Sequence, residues 1–193
     1  MIDFTPIHDK KINWTRFGMQ FGKQDLIDQT NEMTDYLLSL IGDAADEDVV
    51  FTPLDPEAHD PYAADADVEN IAWNLGHVIV HLTASNEESA FLAAELARGV
   101  EIEPHRSRWE VDWETMTTIE QCRHRLEESR RMLLGSLAIW PDEAHLENFY
   151  KTEKGLKITP VVRFLLGQNH TVSHIDQIKE IMRQAKAVKE RIK

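Results

Sequence analysis

Two pairs of histidines carry the chemistry that this sequence offers. His170 and His174 lie in Gly167-Gln168-Asn169-His170-Thr171-Val172-Ser173-His174-Ile175-Asp176-Gln177-Ile178, and His77 and His81 lie in Trp73-Asn74-Leu75-Gly76-His77-Val78-Ile79-Val80-His81-Leu82. A spacing of four residues puts both side chains of a pair on one helix face, one turn apart, within reach of a single cation. Either pair alone reads equally well as core-edge histidines hydrogen-bonded to neighbours. Both pairs, however, fall near the middle of long helical segments, so they can meet at one height whether the helices run parallel or antiparallel. Three neutral imidazoles with an open position suit Zn, Ni or another borderline divalent ion. Position 171 is Thr, where a zincin helix needs Glu, so that protease motif is absent.

Other reactive side chains fit less well. His8, His59, His105, His124 and His145 sit in expected loops or polar surroundings and read as solvated. Glu88 follows His81 by two turns, roughly 10 Å along a helix. It reads either as a substrate-facing carboxylate or as a salt-bridged surface group. Cys122 stands beside Arg123 without a surrounding motif and is not the expected nucleophile. Trp109 and Trp113 either roof a site or pin a long loop to the core.

The elements that must position these groups are helical, with no convincing alternating strand. A first helix is expected from Trp14 to Ile41, its buried stripe being Phe17, Phe21, Leu26, Met33, Leu37 and Leu40, with Gly42 as C-terminal cap. An acidic loop with Pro53, Pro56 and Pro61 follows. The second helix is expected to start near Asp67 or Asn70 and to reach Arg98 before Gly99. A connection over 100–115 leads to a third helix, which opens on the capping-box pattern Thr117-Thr118-Ile119-Glu120 and stops at Trp140 before Pro141. The segment 142–158 reads as irregular. The last helix has Thr159 as N-cap and Pro160 at its first position, and runs nearly to the C-terminus. Four long helices with two long connections point to an all-α, four-helix bundle in which at least one connection crosses over.

Composition agrees with one domain over 1–193. The chain has 193 residues, 42% hydrophobic and 28% charged, with 21 basic against 34 acidic residues and a net charge of -13. Such a surface repels phosphate backbones and anionic lipid, so neither nucleic acid nor a membrane surface is an expected partner. One cysteine excludes an intramolecular disulfide framework and suits a reducing compartment. The N-terminal residues show no basic stretch followed by an apolar run, and no segment approaches the ~18 apolar residues of a membrane span. A cytoplasmic location is expected.

In Trp73–x7–His81-Leu82-Thr83-Ala84-Ser85 and His170–x3–His174–x2–Gln177-Ile178 the sequence resembles the DinB/YfiT-like family of four-helix-bundle metal-dependent enzymes. The resemblance extends over nearly the whole chain and implies an up-down-down-up bundle. Carried over residue by residue, it implies His81, His170 and His174 as metal ligands, with His77 as the rival to His81. It further implies a small-molecule substrate, a low-molecular-weight thiol as co-substrate, and a homodimer. The chemistry expected is Lewis-acid activation of a thiol or of water, giving a thiol-dependent S-transferase or a hydrolase. The alternative is a non-catalytic metal-binding or stress-response module.

Overall fold

The computed structural model describes residues 1–60, 69–103 and 112–192. It is all-α apart from one two-stranded ribbon. Short helices α1 (Thr5–His8) and α2 (Trp14–Gly18) precede α3 (Lys23–Leu40) and the one-turn α4 (Asp46–Val49). Then come α5 (Leu75–Ala97), a 3-10 turn at Trp113–Thr115, α6 (Ile119–Ala138), strands β1 (Tyr150–Lys151) and β2 (Lys157–Ile158), and α7 (Pro160–Ile192).

The expected first helix is in fact two. Gly18 ends α2 where its Cα meets α7, since a Cβ there would stand 2.7 Å from a Val162 methyl carbon. The chain then turns, and α3 restarts at Gly22, whose N–H donates to the Asp25 carboxylate at 2.7 Å. The second helix also starts later than expected. Asn74 is its N-cap, its side-chain oxygen accepting from the His77 N–H at 2.9 Å. Residues 71–74 are consequently non-helical, and Trp73 leaves the helical stripe. At α6 the capping box is shifted by one residue: Thr118 caps, and Gln121 Oε1 accepts from the Thr118 N–H at 2.9 Å. The last helix begins as expected, with Thr159 Oγ1 accepting from the Val162 N–H at 3.4 Å. The ribbon was not expected; Tyr150 pairs with Ile158 and Lys151 with Lys157. Two-residue strands are too short to show alternation.

Helix α5 packs against α6 and α7, and α3 packs against the same two helices. The core divides into two apolar clusters. One joins Met33, Leu37, Leu75, Val78, Ile79, Leu82, Ile119, Leu126, Ile178 and Ile181. The other joins Leu26, Ala90, Ala94, Leu133, Leu137, Val161, Phe164 and Leu165. Between them lies a polar layer. Asn86 Nδ2 donates to Thr171 Oγ1, and Gln168 Nε2 donates to Asn86 Oδ1 at 3.4 Å. Here α5 and α7 approach closely, because position 167 has no side chain. A Cβ on Gly167 would stand 2.6 Å from Ser89 Cβ and 2.9 Å from Asn86 Oδ1. Helical propensity favours alanine over glycine by about 1 kcal/mol, but overpacking of this kind costs about 1–3 kcal/mol. We therefore expect Gly167→Ala to lower unfolding free energy by up to about 2 kcal/mol in urea titrations.

Candidate metal centre

His81 projects from α5, and His170 and His174 project from α7. One ring nitrogen from each can be chosen so that all three lie within 4.8 Å of one another. The Nε2 atoms of His81 and His170 are 2.8 Å apart. The ring centroids are 4.7–5.0 Å apart, with the planes steeply inclined to one another. Two imidazole lone pairs at such a distance repel unless a proton or a cation lies between them. In tetrahedral coordination at a metal–nitrogen distance of 2.0–2.1 Å, ligand nitrogens would be about 3.3 Å apart. The His81–His170 separation is about half an ångström shorter than that, and the donor set of three half-buried imidazoles fits a borderline divalent ion.

The surroundings favour the neutral, metal-binding form. His174 Nδ1 lies 2.8 Å from Gln177 Oε1. The amide oxygen can only accept, so Nδ1 carries the proton and Nε2 keeps its lone pair. Burial holds the His174 pKa below its usual value, the Gln177 hydrogen bond opposing it. Trp73 supplies a wall. Its indole lies 4.6 Å from the His81 ring and 5.9 Å from that of His174, nearly parallel to the latter. A cavity of about 200 Å³ opens against His174, Gln177 and Trp73, with Asp55, Glu57 and His59 on its other side.

His77 stands outside this group. Its ring is stacked between Trp73, at 4.3 Å, and Trp113, at 4.6 Å and 2° from parallel. The sandwich gives Trp113 its place: it packs on the histidine that precedes the cluster by one turn. Trp109 and His105 lie outside the described residues. Glu88 is neither a ligand nor a surface group. Its side chain is 12% exposed and forms an ion pair with Arg163 at 3.8 Å. Cys122 is buried, and burial pushes its thiol up to about 12, so it is no nucleophile. Of the remaining histidines, His8 Nε2 lies 2.8 Å from Asn169 Oδ1, while His59 and His145 each lie beside a glutamate. Sequence reasoning did not single out Arg163, and it gave Gln177 no role beyond its place in a motif. A glutamine three residues after a candidate ligand is the signal for the latter.

A helical protein that gathers three imidazoles from two adjacent helices, beside an open cavity, is of the class that can hold a metal ion. The profile of the DinB superfamily matches residues 29–178, a span that includes all three histidines. The chain belongs to that superfamily. No curated protein and no solved structure matches it.

The aromatic sandwich has a consequence for pH. Burial pushes the His77 pKa down to about 4, with Asp60 acting weakly in the opposite sense. An unfolded chain protonates this histidine near 6.5. Above that pH the group is neutral in both states and contributes nothing to the slope. As pH falls from about 6.5 to about 4, the unfolded state takes up the proton first, and stability is lost, by at most about 3 kcal/mol. Urea midpoints measured between pH 7.5 and 4 should fall less steeply in His77→Phe, which keeps the stack and removes the titration.

Proposed function

We propose that the chain is a divalent-metal-dependent enzyme whose ligands are His81, His170 and His174. The observation that carries this reading is the convergence of three imidazole nitrogens, two of them 2.8 Å apart, at the mouth of a cavity. A bound divalent ion supplies Lewis acidity, which lowers the pKa of a water or thiol that it takes up. The chain's own residues do the rest. Gln177 holds His174 in the tautomer that presents Nε2, Trp73 shields one side from water, and the cavity beside His174 admits a small molecule. The family resemblance makes a low-molecular-weight thiol the co-substrate of choice, with S-transfer to an electrophile or hydrolysis as the reaction.

The same proposal extends to the architecture, as one four-helix-bundle domain in up-down-down-up order. Its support is the membership of the two apolar clusters. The first takes the later part of α3 and α7 and the earlier part of α5 and α6; the second takes the opposite ends. On this reading the long connection between α5 and α6 is the crossover, since it joins two helices that run the same way. No helix among the described residues is long and apolar enough to cross a membrane.

Elemental analysis of untagged protein tests the metal centre directly. Near one divalent ion per chain is expected, falling at least tenfold in His81→Ala and in His170→Ala and kept in His77→Phe. Loss in the His77 variant with retention in His81→Ala would reassign the ligand. No uptake after reconstitution with Zn, Ni or Mn, with helicity intact, would overturn the proposal. Stoichiometric metal without turnover of any thiol–electrophile pair would leave a binding module.

A further inference from the structure

Arg163 occupies the same stripe of α7 as His170, seven residues and two turns nearer the N-terminus. Glu88 has the matching place on α5, seven residues beyond His81. The His81–His170 and Glu88–Arg163 contacts therefore lie on one α5–α7 seam, about 10 Å apart along the helices.

The guanidinium there is poorly satisfied. Three arginines, Arg125, Arg130 and Arg163, have a buried Nε with no hydrogen-bond partner among the described residues. Arg125 compensates by donating to both oxygens of Glu87 at 2.6 Å, and Arg130 by donating to Asp35 at 2.6 Å. Among the described residues Arg163 has no such bond. Its ion pair with Glu88 is 3.8 Å long, beyond hydrogen-bonding distance. A guanidinium presents five donors in a planar fork matched to a carboxylate, and leaving them unmet away from water is costly. The side chain is nevertheless 16% exposed, so a ligand can reach it.

Two further features define what that ligand carries. The Tyr150 phenol, from β1, has its pKa raised chiefly by burial and lies within electrostatic reach of both Arg163 and Glu88. At the other end of the seam, Asp55 and Glu57 line the cavity beside His174 and repel an anion. Glu88 also has an interaction besides the one with Arg163. With Glu88 adjacent, a single negative charge suits the corner better than a dianion.

We infer that Arg163 anchors a carboxylate of the molecule on which the three-histidine site acts, about 10 Å from the histidine cluster. The inference rests on the metal reading of His81, His170 and His174 for the ligand's other end alone. The anchor fixes one end of an extended ligand and points its reactive end at the cluster; it takes no part in bond making.

The probes are 6-mercaptohexanoate and 6-mercaptohexanol, of equal length, titrated into zinc-loaded protein. The acid should bind about tenfold more tightly than the alcohol, as expected for a hydrogen bond to a charged group. That preference should vanish in Arg163→Gln and shrink in Arg163→Lys, with zinc content unchanged in both. The lysine variant keeps a positive charge opposite Glu88, so it serves where the glutamine variant fails to fold. A second readout needs no metal: hexanoate added to metal-free protein should shift the Arg163 Nε–H resonance and leave those of Arg125 and Arg130 in place. That shift in a protein that takes up no zinc would support the anchor while the metal reading fell. Equal affinity for the two thiols in zinc-loaded protein, or a preference that survives in Arg163→Gln, would overturn the anchor and leave Arg163 as a structural partner of Glu88.

Discussion

The close approach of α5 and α7 at Gly167 is the constraint on which the candidate site depends. With hydrogen in place of a side chain, the α7 backbone settles against Ser89 and Asn86, and the polar bonds Asn86–Thr171 and Gln168–Asn86 fix the register. Every step of seven along α5 is then matched by a step of seven backward along α7, from His81 opposite His170 to Glu88 opposite Arg163. A bulkier residue would push the helices apart by a fraction of the distance that separates coordination from mere proximity. Metal–nitrogen bonds near 2 Å tolerate little of that.

Register alone would bring three imidazoles together but would not prepare them. Each could rotate, flip its tautomer or take up a proton. Gln177 removes the second freedom for His174, and the Trp73 indole, lying near both His81 and His174, restricts the first. Burial opposes the third for His174, since a charged imidazole is disfavoured away from water. Trp73 can do this only because α5 begins at Leu75. One more helical turn at the N-terminus would have set the indole on the stripe of His77, eight residues and roughly 12 Å before His81 along the helix, and off the cluster.

That late start shows where the sequence was legible and where it was not. Thr159-Pro160 announced α7 because a threonine N-cap and a proline at the first position act locally. The two i, i+4 histidine pairs were visible for the same reason, since helical periodicity needs no tertiary knowledge. Asn74 was harder: Asp67, Asn70 and Asn74 are all competent caps, and the choice is made by what Trp73 packs against. The break at Gly18–Gly22 was missed because the apolar stripe runs through it unbroken, from Phe17 and Phe21 to Leu26. Gly18 lies at the break because a side chain there would meet Val162, 144 residues away in sequence, and no local pattern announces that contact. His77 and His81 were indistinguishable by spacing. Two indoles from different loops separate them, and no local pattern encodes that.

The placement of the cluster also has an energetic logic. It stands at the edge of the polar layer: His170 is next to Thr171 in sequence, while His81 and His174 are flanked by Leu82 and Ile175 of the first apolar cluster. Gln168 Oε1 is buried in that layer without a hydrogen-bond partner among the described residues, at a cost of about 1–3 kcal/mol. A protein selected for stability alone would fill such a layer with leucine. Here the alternatives are worse for the site. Apolar side chains would remove the bonds from Asn86 that hold Thr171 and Gln168, the residues flanking His170, and so release the histidine whose position matters most. The two flanking clusters carry the stability that this layer gives up, and they do so from both sides, so the helices can slide in neither direction past the register that aligns His81 with His170.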